Sequence, residues 1–169
     1  DYTAAIFAGA LSATDLEIWT DVNGMMTADP RLVKKAFTVP QMSYQEAMEL
    51  SHFGAKVIFP STMQPAMANG IPIWIKNTFN PDFKGTVISA ESSNGKLIKG
   101  ISSVNNISLL NIQGSGLVGV AGVSMRLFGT LGRERISVIL ISQASSEHSI
   151  CLAIETQFVK QAKAAIEKE

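Results

Sequence analysis

A short polar run, E-S-S-N-G at residues 91–95, splits this sequence into two stretches whose apolar residues follow different orders. Before it, helix-like and strand-like segments alternate. Residues 2–13 are alanine-rich and helical, 17–20 extended, 43–52 helical, and 71–76 and 86–89 extended. Such alternation builds an α/β sheet. After the run, 107–113 alternates as a strand, G-S-G-L-V-G at 114–119 makes a flexible loop, and 120–133 is helical. Two further strands, 137–143 and 148–155, flank an A-S-S-E turn, and an amphipathic helix at 156–169 carries Phe158, Val159, Ala162 and Ile166 on one face. This βαββα order is one strand short of the βαββαβ ferredoxin-like unit. The expected organisation is therefore an α/β chain of two regions, 1–90 and 97–169. A missing fourth strand leaves backbone groups unpaired on its neighbour, so that edge is expected to be covered by another copy or by the first region.

Local signals sharpen these boundaries. Ser43 stands as an N-cap with Glu46 three residues on, the pattern of a capping box, and Gly54 follows as a stop. Pro72 suits the start of a strand rather than its middle. The run E-I-W-T-D-V-N-G-M-M-T-A-D-P-R at 17–31 delivers Thr20, Asp21, Asp29 and Arg31 at the carboxyl end of a short apolar strand. Open α/β sheets bind ligands at that end, and this pattern suits a polyanion. Turn chemistry alone, an Asx-turn with a surface Asp–Arg pair, accounts for the same residues without a ligand.

Composition excludes several classes. Lys plus Arg and Asp plus Glu number 14 each, so no net field attracts nucleic acid or an anionic membrane. No apolar stretch reaches the ~20 residues of a membrane span, and the amino end lacks a secretory layout, which points to a cytoplasmic protein. Cys151 is the single cysteine and is expected to be a buried, inert thiol; the two histidines lie far apart, and no metal site is expected. The chain opens on Asp1 and its last helix ends without a cap, which reads as a piece of a longer protein.

Several long runs resemble the aspartate kinases. They are D-Y-T-A-A at 1–5, the 17–31 run, S-Y-Q-E-A-M-E-L-S-H-F-G-A-K-V-I-F-P at 43–60 and I-K-N-T-F-N-P at 75–81. The wording of 43–56, of K-G-I-S-S-V-N-N at 99–106 and of L-I-S-Q-A-S-S-E-H-S at 140–149 is most similar to the bifunctional aspartate kinase/homoserine dehydrogenases. The resemblance implies the second half of an amino-acid-kinase-type catalytic domain followed by a ferredoxin-like ACT domain without its last strand. It implies ATP with Mg2+ as the substrate complex, phosphorylation of aspartate, and homodimers formed through ACT domains.

Carried onto matching positions, the resemblance implies that Asp1 organises the reacting phosphoryl group. It places Thr20, Asp21, Met26, Arg31 and Lys56 at the nucleotide, with Met26 where relatives often have tyrosine, so that only apolar contact is offered there. The family's Lys-Phe-Gly-Gly opening, source of the catalytic lysine, has no counterpart in these residues, so the chain alone is expected to bind no cofactor tightly and not to turn over. An effector pocket is implied between Leu117, Gly119, Val120, Gly122 and Val123 on the loop side and Ser137, Val138, Ile139 and Gln143 on the strand side. A glycine loop feeding a helix suits a carboxylate. Lysine-sensing relatives tend to carry an acid where Ile139 stands; isoleucine would leave an ε-ammonium unpaired, which favours threonine over lysine. Gln143 can both donate to and accept from a small hydroxyl. Competing readings are a ligand-free ACT dimerisation scaffold, a lysine-sensing monofunctional aspartate kinase, and a carbamate or acetylglutamate kinase relative, against which the ACT-like half argues.

Overall fold

The computed structural model describes residues 1–52, 57–91, 98–114, 119–143 and 149–169, and the chain divides into two units, Asp1–Val104 and Asn105–Glu169. Residues 98–104 thus join the first unit instead of the second. The reason is a set of local bonds: the Ile101 N–H donates to the Thr27 carbonyl at 2.9 Å, and Lys99 pairs with Glu46 at 2.9 Å.

In the first unit, α1 (Tyr2–Ala10) leads to β1 (Leu16–Thr20), β2 (Gln41–Ser43), α2 (Tyr44–His52), α3 (Pro60–Ala68), β3 (Ile73–Asn77) and β4 (Thr86–Ser89). The sheet order is β1-β3-β4-β2, with β1–β3 and β2–β4 parallel and β3–β4 antiparallel. Helix α1 stops earlier than the alanine-rich pattern predicts, because Ser12 adopts φ 49° and the Ala13 and Ser12 N–H groups close back on the Ala8 and Gly9 carbonyls. This Schellman closure ends a helix whatever the propensity of the next residue. Two elements have no counterpart in the sequence pattern, α3 and the three-residue β2. Pro60 occupies the first turn of α3, where its missing N–H costs nothing.

The capping box forms at the start of α2: the Glu46 N–H donates to Ser43 Oγ at 3.1 Å, and the Ser43 N–H donates to Glu46 Oε2 at 2.8 Å. Tyr44, Ala47 and Leu50 are buried on one face of this helix, at the i, i+3, i+6 spacing that a 3.6-residue period requires. The Tyr44 hydroxyl donates to the Ile71 carbonyl at 2.7 Å, and burial pushes its pKa up. Ile73, Ile75 and Ile88 are fully buried between the sheet and the helices. On the opposite face of the sheet, Lys76 Nζ lies 5.3 Å from the Trp19 ring and 5.7 Å from the Trp74 ring, and it donates to Glu17. That lysine, then the Trp19 indole N–H at 2.9 Å, holds the Glu17 carboxyl below its ordinary range.

The second unit comprises β5 (Ile107–Gln113), α4 (Val123–Arg133), β6 (Leu140–Gln143), β7 (Ser149–Glu155), a 3-10 turn at Thr156–Phe158 and α5 (Val159–Lys168). Its antiparallel sheet runs β5-β7-β6, the arrangement that the first three strands of a ferredoxin-like unit adopt. Ile150, Leu152 and Ile154 pack against Leu127, Leu131 and Ala162 of the helices, joined by Phe158, Val159 and Ile166 as the 156–169 pattern requires. Period-two alternation sends Cys151 to the other face, where it is half-buried rather than enclosed. Two boundaries moved. Helix α4 begins at Val123 because Gly122 holds φ 87°, and β6 begins at Leu140, although the Ile139 N–H already donates to the Ala153 carbonyl at 2.8 Å.

Candidate nucleotide and effector sites

In the first unit, β1 and β3 run parallel in the register Thr20↔Asn77, so their carboxyl ends open side by side. There the Thr78 N–H donates to the Thr20 carbonyl at 2.8 Å, and Thr20 Oγ1 donates to Asp21 Oδ1 at 3.2 Å. Asn77 Nδ2 donates to Asn23 Oδ1 at 2.7 Å, while Asn77 Oδ1 accepts the Phe79 N–H at 2.9 Å. Four polar side chains, Thr20, Asp21, Asn23 and Asn77, are therefore gathered at one strand end. The sequence singled out Thr20 and Asp21. Asn23 and Asn77 lie 54 residues apart, so their pairing is a product of the fold.

Beyond Asn23 the loop is held rigidly. Gly24 has φ 119°, and a Cβ there would fall 2.4 Å from Thr86 Oγ1, so only glycine fits. Thr86 Oγ1 accepts the Met25 N–H at 2.9 Å and donates to the Val39 carbonyl at 2.6 Å. Met26 bridges Thr38 in antiparallel fashion, and the Thr27 N–H donates to the Phe37 carbonyl at 2.9 Å. This ladder carries Met26 towards a tip where Asp29 Oδ1 accepts the Arg31 N–H at 2.9 Å and Arg31 Nη2 donates to Asp29 Oδ2 at 2.8 Å. The fork holds the Asp29 carboxyl below its ordinary range and raises the Arg31 guanidinium. Arg31 remains 86% exposed in its side chain, with donors left over for an incoming anion. Asp1 stands exposed ahead of α1 and caps it with no side-chain bond. Lys56 lies outside the described residues.

In the second unit, Gly119 and Gly122 hold φ 71° and 87°, and among the described residues a Cβ at either would meet nothing within 4 Å. Backbone conformation, not crowding, therefore selects glycine at both. Val120 is exposed, whereas Val123 packs on the helix-side core together with Val138. Ser137 is exposed, Ile139 half-buried, and Gln143 ends the exposed strand β6 opposite Ile150. Leu117 lies outside the described residues. Among the described residues no group of three or more His, Cys, Asp or Glu side chains gathers in the manner of a metal site, and no helix is long and apolar enough to cross a membrane.

Comparison with known proteins gives this geometry its class. Residues 1–77 match the amino acid kinase family, and residues 110–169 match the ACT domain. The chain joins part of an amino acid kinase domain to an ACT domain. A bifunctional aspartokinase/homoserine dehydrogenase of Haemophilus influenzae is 45% identical over 170 residues, covering 100% of this chain and 21% of that protein. Among solved structures, E. coli aspartokinase III in complex with aspartate and ADP (R-state) matches at a TM-score of 0.80 and 35% identity, covering 92% of this chain and 34% of that one. The same enzyme in complex with lysine and aspartate (T-state) matches at 0.80 and 30% identity, covering 99% of this chain and 38% of that one. The chain belongs to the aspartokinase family and carries its ACT regulatory domain. It spans about a fifth of the length of the bifunctional relative it matches.

Proposed function

We propose that the first unit supplies the nucleotide side of an aspartokinase site and the second unit senses a free amino acid. The observation carrying the first part is the convergence of Thr20, Asp21, Asn23 and Asn77 at the paired ends of β1 and β3, beside a rigid loop ending in Arg31. In the parent reaction an oxygen of the aspartate side-chain carboxylate attacks the γ-phosphorus of MgATP. The bond to the bridging oxygen breaks, leaving 4-phosphoaspartate and ADP. Such a reaction relies on positioning and charge neutralisation, which Arg31 and Lys56 supply at the phosphates while Asp1 organises the reacting group. Met26 lends apolar contact only. The chain alone, having no counterpart of the family's glycine-rich lysine opening, holds nucleotide only weakly and does not turn over; a coupled ADP-release assay with aspartate tests this, and turnover refutes it.

For the second unit the favoured effector is threonine, ahead of lysine. Gly119 and Gly122 add no side chain of their own at the entry to α4, and the apolar Ile139 offers no partner to an ε-ammonium. Calorimetry with threonine, lysine and methionine decides: heat from threonine alone, reduced by Gln143→Ala, is expected, and silence from all three at millimolar concentration sinks the sensing assignment. A homodimer through ACT domains has its own support, since all four residues of β6 are exposed and, among the described residues, β5 pairs only with β7. Gel filtration with and without threonine separates a ligand-dependent sensor from a scaffold that dimerises regardless. The parent is read as a cytoplasmic bifunctional enzyme with homoserine dehydrogenase, on the strength of the wording at 43–56 and 99–106.

A further inference from the structure

Residues 98–104 are the covalent lead from the first unit into β5, and they are bound down at three successive positions. Lys99 Nζ donates to Glu46 Oε2 at 2.9 Å, and that same oxygen accepts the Ser43 N–H that caps α2. The Lys99 side chain is only 11% exposed, so this pair is better shielded than an ordinary surface bridge. At Gly100 the backbone lies so close that a Cβ would sit 3.2 Å from both Leu50 methyl carbons and 3.5 Å from the Thr27 carbonyl oxygen. One residue later the Ile101 N–H donates to that carbonyl at 2.9 Å. The Ile101 side chain itself is 69% exposed, so its backbone, not its apolar bulk, makes the attachment. A depression of about 420 Å³ lies alongside, between Gln45, Glu49 and Leu50 of α2 and Lys99, Gly100 and Ser102.

Thr27 is the other half of the joint. Its N–H donates to the Phe37 carbonyl and its Oγ1 accepts the Phe37 N–H at 3.2 Å, one step from the Met26–Thr38 bridge. Its carbonyl accepts the Ile101 N–H.

We propose that residues 98–104 form a strap that sets the position of the loop from Thr20 to Arg31, with Ile101 and Lys99 as positioning residues acting through Thr27 and Glu46. The functional half of this rests on the nucleotide assignment above. A displacement of the strap withdraws the donor from Thr27, slackens the ladder that carries Met26 and Arg31, and weakens nucleotide binding. Because the strap runs straight into β5, an amino acid bound in the second unit gains a covalent route to the nucleotide loop. Coupling of this kind requires that the effector favour one strap position over the other.

Hydrogen-exchange mass spectrometry on the whole chain, paired with MgADP titration, tests the strap. Ile101→Pro removes the donor while leaving a side chain of similar exposure. Exchange across 22–31 should quicken by about tenfold while 73–77 keeps its protection, because local opening there is governed separately from the core sheet. Unchanged exchange at 22–31 overturns the proposal. Should Ile101→Pro lose protection at 73–77 as well, Lys99→Met takes its place, with acceleration of about threefold at 22–31 expected from the lost pair and no acceleration counting against the strap. In the titration, binding by the wild-type chain that weakens about fivefold in the variant supports the coupling to nucleotide. Equal affinity in both overturns it. A wild-type chain that fails to bind MgADP refutes the nucleotide assignment instead, and exchange then decides the strap by itself.

Discussion

The Thr86 hydroxyl donates to the Val39 carbonyl at 2.6 Å while its oxygen accepts the Met25 N–H at 2.9 Å, so one fully buried side chain joins the start of β4 to both arms of the loop between β1 and β2. Thr86→Val keeps the shape and strands two buried backbone groups. A loss of about 1–3 kcal/mol in urea unfolding is expected, since an unsatisfied buried group forfeits its solvation. Thr86→Ser retains the hydroxyl and should recover most of it.

Gly24 and Gly122 both sit at positive φ, yet they should respond differently to alanine. At Gly122 a methyl meets open space, and the cost is the left-handed backbone alone, about 1–2 kcal/mol. At Gly24 the methyl also strikes Thr86 Oγ1 and the Thr38 methyl, 2.4 and 2.9 Å away, so the loop must shift. Thermal melts of the two variants should therefore show the larger drop for Gly24→Ala, and MgADP affinity should fall in that variant only.

The capping box of α2 is separable from the strap bond that shares its carboxylate. Ser43→Ala removes the acceptor for the Glu46 N–H and should cost about 1 kcal/mol by denaturant unfolding. Exchange at 22–31 should stay as in wild type, because Glu46 still holds Lys99.

Asp29 titrates below the usual aspartate range because Arg31 hydrogen bonds to it in the folded chain. The sign follows: with its folded pKa depressed, the pair's contribution is full above the unfolded pKa and is lost as pH falls through the folded value. Carbon-detected NMR titration should place the Asp29 midpoint low, and Arg31→Met should move it upwards. An unmoved midpoint would show that the fork does not persist in solution.

Parts of this architecture are legible without coordinates because their causes are local. Ser43 and Glu46 announce the start of α2 three residues apart, and the strand at 107–113 shows through its largely alternating apolar residues. Helix α3 is obscured by Pro65 within it and by a buried face that includes Thr62, so no apolar period marks it. Strand β2 exists only through its pairing with β4, some 46 residues away along the chain (87 − 41). The same division holds at the site. Thr20 and Asp21 follow an apolar strand and are visible in sequence, whereas Asn77 against Asn23 and Thr86 against Met25 arise from contacts 54 and 61 residues apart.

Lys76 between Trp19 and Trp74 has a practical corollary. Both tryptophans and both tyrosines of the chain belong to the first unit, so tryptophan and tyrosine emission is blind to residues 105–169. Cys151, the lone thiol, is half-buried on the sheet face away from the second unit's core, so a dye attached there would report on that unit. Indole and label together allow each half to be melted in the same cuvette and watched through its own colour.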